Sequence, residues 1–163
     1  MVDAPPARTS VVFVSEAVDV GRPRSLVERH LCVASTGLLP LATEATSDGE
    51  GQVVRVGPVV AGHLLGVPVK VLLAPCRTRD GATAIPIRWE AITLESLLPV
   101  LDGTLLVSPI EEGRRCRLAI EASYRVPFER LGDLLDRAVL HHVAEATVRS
   151  FLRRLADAMT EAS

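Results

Sequence analysis

Arg114-Arg-Cys-Arg-Leu-Ala-Ile-Glu-Ala-Ser-Tyr-Arg-Val126 is the stretch that decides the fold. Cys116, Leu118, Ile120, Ala122, Tyr124 and Val126 share one parity, and Arg115, Arg117, Glu121 and Arg125 share the other. Successive side chains of a strand point to opposite faces, so the segment predicts a strand with one apolar and one wet face, as antiparallel sheets have. After Pro127 the period changes, and the remainder reads as one helix of about 30 residues. Leu131, Leu135, Val139, Val143, Thr147, Phe151, Leu155 and Met159 form an almost wholly apolar row at four-residue spacing. Asp133, Arg137, His141, Glu145, Arg149, Arg153, Asp157 and Glu161 form a charged row on the opposite side.

Upstream, Glu111-Glu112-Gly113 reads as the turn that feeds this strand from another at Thr104 to Ile110. Earlier strands are predicted at Thr83 to Ile92, Val67 to Leu73 and, more weakly, Val53 to Val56. In Thr83 to Ile92 the residues Ile85, Ile87 and Trp89 face one way, and Arg88 and Glu90 the other. Arg79-Asp80-Gly81 is a turn, and the short connections suit a meander. At the N-terminal end, Thr9 to Val20 alternates as a strand and stops at Gly21, and Ser25 to Cys32 reads as a short helix opened by Pro23. Leu38-Leu39-Pro40-Leu41 reads as a second short helix or a turn, and Ser47 to Gly51 as a loop. Neither a repeat nor a linker divides the 163 residues, which predicts a single domain, 1–163, with an ordered core over about 8–161.

Composition narrows the function classes. Hydrophobic residues make up 48% and aromatics only 3%, and the net charge is −2, which excludes a disordered chain. With pI near 6.1 and no basic run, nucleic acid is not an expected partner. Lys70 is the only lysine among 18 basic residues, and the arginines Arg115, Arg117 and Arg125 read as a solvated strand face, with a patch for an acidic partner as the alternative. Cys32, Cys76 and Cys116 are far apart with no CxxC arrangement, so three reduced thiols are expected and no zinc knuckle. No signal peptide or membrane-length apolar run is seen, and the expectation is a cytoplasmic chain without membrane insertion. No nucleotide-binding glycine motif or nucleophile elbow is present, and no cofactor or metal is expected.

A twisted sheet curls, its apolar face needs a cover, and one long helix covers it only in part. The gap between them is a natural small-molecule cavity. With this order of elements, the chain resembles the helix-grip proteins of the START-like, Bet v 1-like and polyketide cyclase (SRPBCC) superfamily, including actinobacterial members. The resemblance rests on Pro86-Ile-Arg-Trp-Glu-Ala91, Leu98-Pro-Val-Leu-Asp-Gly103, Ala122-Ser-Tyr-Arg-Val-Pro127, and Leu131-Gly-Asp-Leu-Leu-Asp136 running into Val143-Ala-Glu-Ala-Thr-Val-Arg149. It implies an α+β fold in which a curved antiparallel sheet wraps a long C-terminal helix. The superfamily includes lipid carriers, ligand sensors, aromatase/cyclases and co-chaperones, so the fold leaves the activity open.

Inward polar groups on an apolar lining are the candidates for function. Glu16 shares the strand face of Val12, Val14, Val18 and Val20, where a desolvated carboxylate suits acid–base work; a bulge or sheet edge would instead turn it to water. Tyr124 lies on the apolar parity and Trp89 beside Ile85 and Ile87, as cavity wall or as core. His142 flanks the apolar helix row between Ala138 and Ala146, whose small side chains leave room for a ligand; its alternative is a hydrogen-bonded core residue. His141, about 100° round the helix, belongs to the charged face. The expected ligand-binding set is therefore Trp89, Tyr124, Ala138, His142 and Ala146, with Glu16, Tyr124 and His142 as catalytic candidates. The favoured function is carriage of a small hydrophobic ligand, lipid, fatty-acyl or polyketide-like. The alternatives are an aromatase/cyclase-like enzyme and a partner-binding module with a filled cavity.

Overall fold

The computed structural model describes residues 9–33, 39–45, 50–92, 100–127 and 137–161. The decisive strand, β10 (Arg115–Pro127), pairs with β1 (Thr9–Val20) on one side and β9 (Val100–Ile110) on the other, both antiparallel. Beyond β9 follow β8 (Ala82–Ala91), β6 (Val67–Leu73), β3 (Gln52–Val56) and β2 (Glu44–Ala45), while β7 (Arg77–Arg79) pairs with one end of β8. These eight strands among the described residues form one curved antiparallel sheet. A two-stranded hairpin, β4 (Val59–Val60) with β5 (His63–Leu64), stands apart from it. Helix α1 (Arg24–Val33) follows β1, and α2 (Arg137–Glu161) is the C-terminal helix. The α+β arrangement expected from the alternation is present, and each long strand falls within a few residues of its predicted bounds.

The turns follow from their residues. Asp80 and Gly81 have φ of 49° and 77°, the left-handed pair that a two-residue hairpin requires. At Gly103 of β9 a Cβ would come within 2.5 Å of the Ala122 Cβ and the Glu121 carbonyl, so only glycine fits where the two strands press together.

The apolar parity of the sheet is buried against α2. Ile85, Leu105, Leu118 and Ile120 are sealed from solvent, and so are Val148 and Leu155 of the helix. Each such side chain contributes about 1.5–3 kcal/mol by leaving water. The other parity is wet, and its arginines are matched across strands. Arg117 lies opposite Asp19 in register and donates to it at 2.6 and 3.2 Å. The same hydrogen bond holds the Asp19 carboxyl below the usual carboxylate range. Arg88 donates to both oxygens of its register partner Asp102 at 3.0 Å, and Arg125 reaches Asp102 at 3.5 Å. The arginine stripe is thus a solvated, paired face.

Three expectations are corrected or completed. Cys32, in the last turn of α1, is bonded to Cys76, in the β6–β7 connection, with Cα atoms 5.6 Å apart; only Cys116 is a thiol, and it is buried. The expectation of three reduced cysteines fails because residues 44 apart carry no spacing signal. Of the stretch Leu38–Leu41, Leu38 lies outside the described residues; Pro40–Leu41 form a turn, beside which the Leu39 N–H donates to the buried Gln52 side chain. Residues 46–49, and the helix start expected just after Pro127, lie outside the described residues; α2 is described from Arg137.

Candidate functional site

A cavity of about 230 Å³ lies between the sheet and the N-terminal half of α2. The helix itself explains its position. Phe151 fills the space above the sheet, its ring edge-on to Trp89 at 5.2 Å between centroids. One and two turns earlier stand Thr147 and Ala144, too small to reach the sheet, with Leu140 and Val143 beside them. The sheet floor is Val12, Val69, Trp89, Ala91 and Tyr124, and Val56, Gly57, Pro58, Leu65 and Val67 close the side next to the β4–β5 hairpin. Gly57 is obligatory here, because a Cβ would stand 2.0 Å from the Leu65 carbonyl oxygen. Ala61 and Gly62, both with positive φ, turn the hairpin. Val59, Val60, Leu65, Val67 and Val143 leave apolar surface exposed around this side.

The lining is chemically quiet. Among the described residues it contains no carboxylate, imidazole or cationic side chain. Thr147 donates its hydroxyl to the Val143 carbonyl at 2.7 Å, and the Pro58 carbonyl accepts the Leu65 N–H at 3.0 Å. Tyr124 is the exception. Its ring packs at 6.1 Å from Trp89, and its buried hydroxyl has no hydrogen-bond partner of good geometry. Burial drives the phenol pKa far above its ordinary value, and the neighbouring Trp89 indole offsets this only in part.

The structure brings together only part of the expected site. Trp89 and Tyr124 line the cavity; Ala138, His142 and Ala146 do not. His142 is 80% exposed and stands 3.6 Å from Glu145, on which His141 also sits at 3.0 Å. Its expected inward place is therefore corrected: at 100° per residue His142 lies about 160° from Ala144 and Leu140. Ala138 is exposed and Ala146 half-buried on that same outer side. Glu16 is only partly turned inward and is held by Arg149 at 2.6 and 3.2 Å, in a polar cleft with Asp19, Arg117 and Arg153. It is an ion-pair partner at the margin of the helix and lies outside the cavity lining. Among the described residues no three His, Cys, Asp or Glu side chains gather as a metal site. Sequence reasoning missed Leu140, Val143, Ala144 and Thr147 of the helix, Val12, Val69 and Ala91 of the floor, and the wall beside the β4–β5 hairpin. For Ala144 and Thr147 a signal existed, namely small side chains one and two turns before Phe151.

No protein-family model and no curated protein matches the sequence. Solved structures do match. The chain is similar to Ara h 8.0201, with 12% identity over 93% of this chain and 96% of that one and a TM-score of 0.52. It is similar to TTHA0849 of Thermus thermophilus, with 17% identity over 93% and 99% and a TM-score of 0.53. It is also similar to the Zhui aromatase/cyclase of Streptomyces sp. R1128, with 21% identity over 92% and 94% and a TM-score of 0.55. At these identities the likeness is one of fold: the chain has the helix-grip α+β fold of these structures.

Proposed function

We propose that this helix-grip chain binds and carries a small hydrophobic molecule in the cavity between the sheet and α2. The observation that carries the reading is an apolar cavity of about 230 Å³ left open by Ala144 and Thr147. Dry apolar cavities of roughly 150 Å³ already take up benzene or xenon. The space favours a compact ligand over a long acyl chain, and it weighs against a partner-binding module with a filled interior. Acid–base turnover finds less support, because Glu16 and His142 stand outside the lining and Tyr124 holds its proton tightly.

No described helix is long and apolar enough to cross a membrane, and the carrier role needs no membrane insertion and no nucleic acid. The Cys32–Cys76 bond favours an oxidising compartment over the cytoplasm.

Thermal unfolding with increasing concentrations of small apolar compounds tests the proposal. A ligand that binds only the folded chain raises Tm with concentration, by about 2.7 kcal/mol of stabilisation at a hundredfold excess over Kd. A Tm that no such compound moves would overturn the reading.

A further inference from the structure

Tyr124 Oη is a buried hydroxyl, lacking a good hydrogen bond, on a residue that lines an apolar cavity. A buried polar group in that state is costly, and the cost is relieved by any partner that arrives with a ligand. Its partner is constrained from two sides. The phenol O–H is a donor that no protein acceptor meets, and it is the proton-bearing side of the group that a ligand can satisfy. The ligand must therefore present an acceptor. The lining, among the described residues, has no cation to balance a charge, and a carboxylate brought there would be buried without a counter-ion. The other polar groups noted on the wall, Thr147 Oγ1 and the Pro58 carbonyl, already have partners.

We infer that the cavity selects a compact, uncharged molecule bearing one acceptor oxygen, a ketone or an ester, and that the Tyr124 hydroxyl anchors that oxygen. The inference rests on the carrier reading above and narrows its ligand class. The hydroxyl oxygen is covered, so the ring must turn toward the adjoining cavity for its O–H to meet the ligand. Tyr124 acts here as a selectivity residue and moves no proton.

The test uses three seven-carbon probes, heptane, heptan-2-one and heptanoate at pH 7, read by the emission of Trp89, the chain's one tryptophan. Tyr124→Phe is expected to loosen heptan-2-one roughly 2- to 10-fold, the worth of one hydrogen bond, and to leave heptane unchanged. Heptanoate is expected to bind at least tenfold more weakly than heptan-2-one to the unaltered chain. The carbonyl stretch of bound heptan-2-one, expected at lower wavenumber than in an alkane solvent, reads the hydrogen bond in the unaltered chain and so does not depend on the variant folding. Equal loosening of heptane and heptan-2-one, an unshifted carbonyl band, or heptanoate binding as tightly as the ketone overturns this inference and leaves the carrier reading standing. Failure of all three probes to bind, heptane included, overturns the carrier reading and this inference with it.

Discussion

The Glu16 carboxylate and the Arg149 guanidinium meet at 2.6 Å and so tie the first strand to the middle of the C-terminal helix. Arg149 is about half exposed, and water screens such pairs, which are worth about 0.2–1 kcal/mol. Glu16→Gln is accordingly expected to lower the urea unfolding free energy by less than about 1 kcal/mol. Ligand affinity should be unchanged. A loss of binding without a loss of stability would return Glu16 to the site.

Tyr124 makes two stability predictions. Replacing it by Phe removes an ill-partnered buried hydroxyl, and the ligand-free variant should be more stable by about 1 kcal/mol in denaturant unfolding. The pH dependence is distinctive. An unfolded tyrosine ionises near pH 10, whereas the folded phenol, its pKa raised by burial, keeps its proton well beyond. The stability linked to this group is thus fully present below about pH 10 and is lost above it, at about 1.4 kcal/mol per pH unit. The advantage of Tyr124→Phe should widen over that range, and phenolate absorbance from the chain's one tyrosine should appear only on unfolding. Phenolate appearing near pH 10 in folded protein would contradict the burial.

The Cys32–Cys76 bond is directly countable. Unfolded, unreduced chain should titrate one thiol, Cys116, and folded chain none, since Cys116 is sealed. Reduction should lower the unfolding free energy by roughly 2–4 kcal/mol, through the loop that the bond closes. Three titratable thiols before reduction would mean that the bond is absent.

Gly57 has no room for a methyl group. Gly57→Ala must displace the Leu65 backbone, and with it the wall beside the β4–β5 hairpin. An overpacked site of this kind costs about 1–3 kcal/mol, and ligand affinity should fall with it. Full stability together with full affinity would show that this wall is not part of the site.

How much of this is legible in the sequence depends on period. A period of two has no drift, so the parity of Cys116 to Tyr124 carries the sheet's inner and outer faces correctly across β10, and Ile85, Ile87 and Trp89 do the same for β8. A row at four-residue spacing does drift, by about 40° per step of a 3.6-residue helix. Followed from Val139 to Met159, it begins on half-exposed valines and ends in the core. His142 reads as inward because it flanks the early part of that row, which is where the row has already left the sheet. The β4–β5 hairpin has strands of two residues, too short to show any period, and the disulfide joins positions that only the fold brings together.

The central claim, that the space left by Ala144 and Thr147 is the binding site, is tested most directly by titrating heptan-2-one against Trp89 emission in the unaltered chain and in Ala144→Phe. The phenyl group is placed where Ala144 lines the cavity. The account predicts a saturable change in the unaltered chain, and its loss in a variant that still melts cooperatively. Equal affinity in both proteins would contradict it.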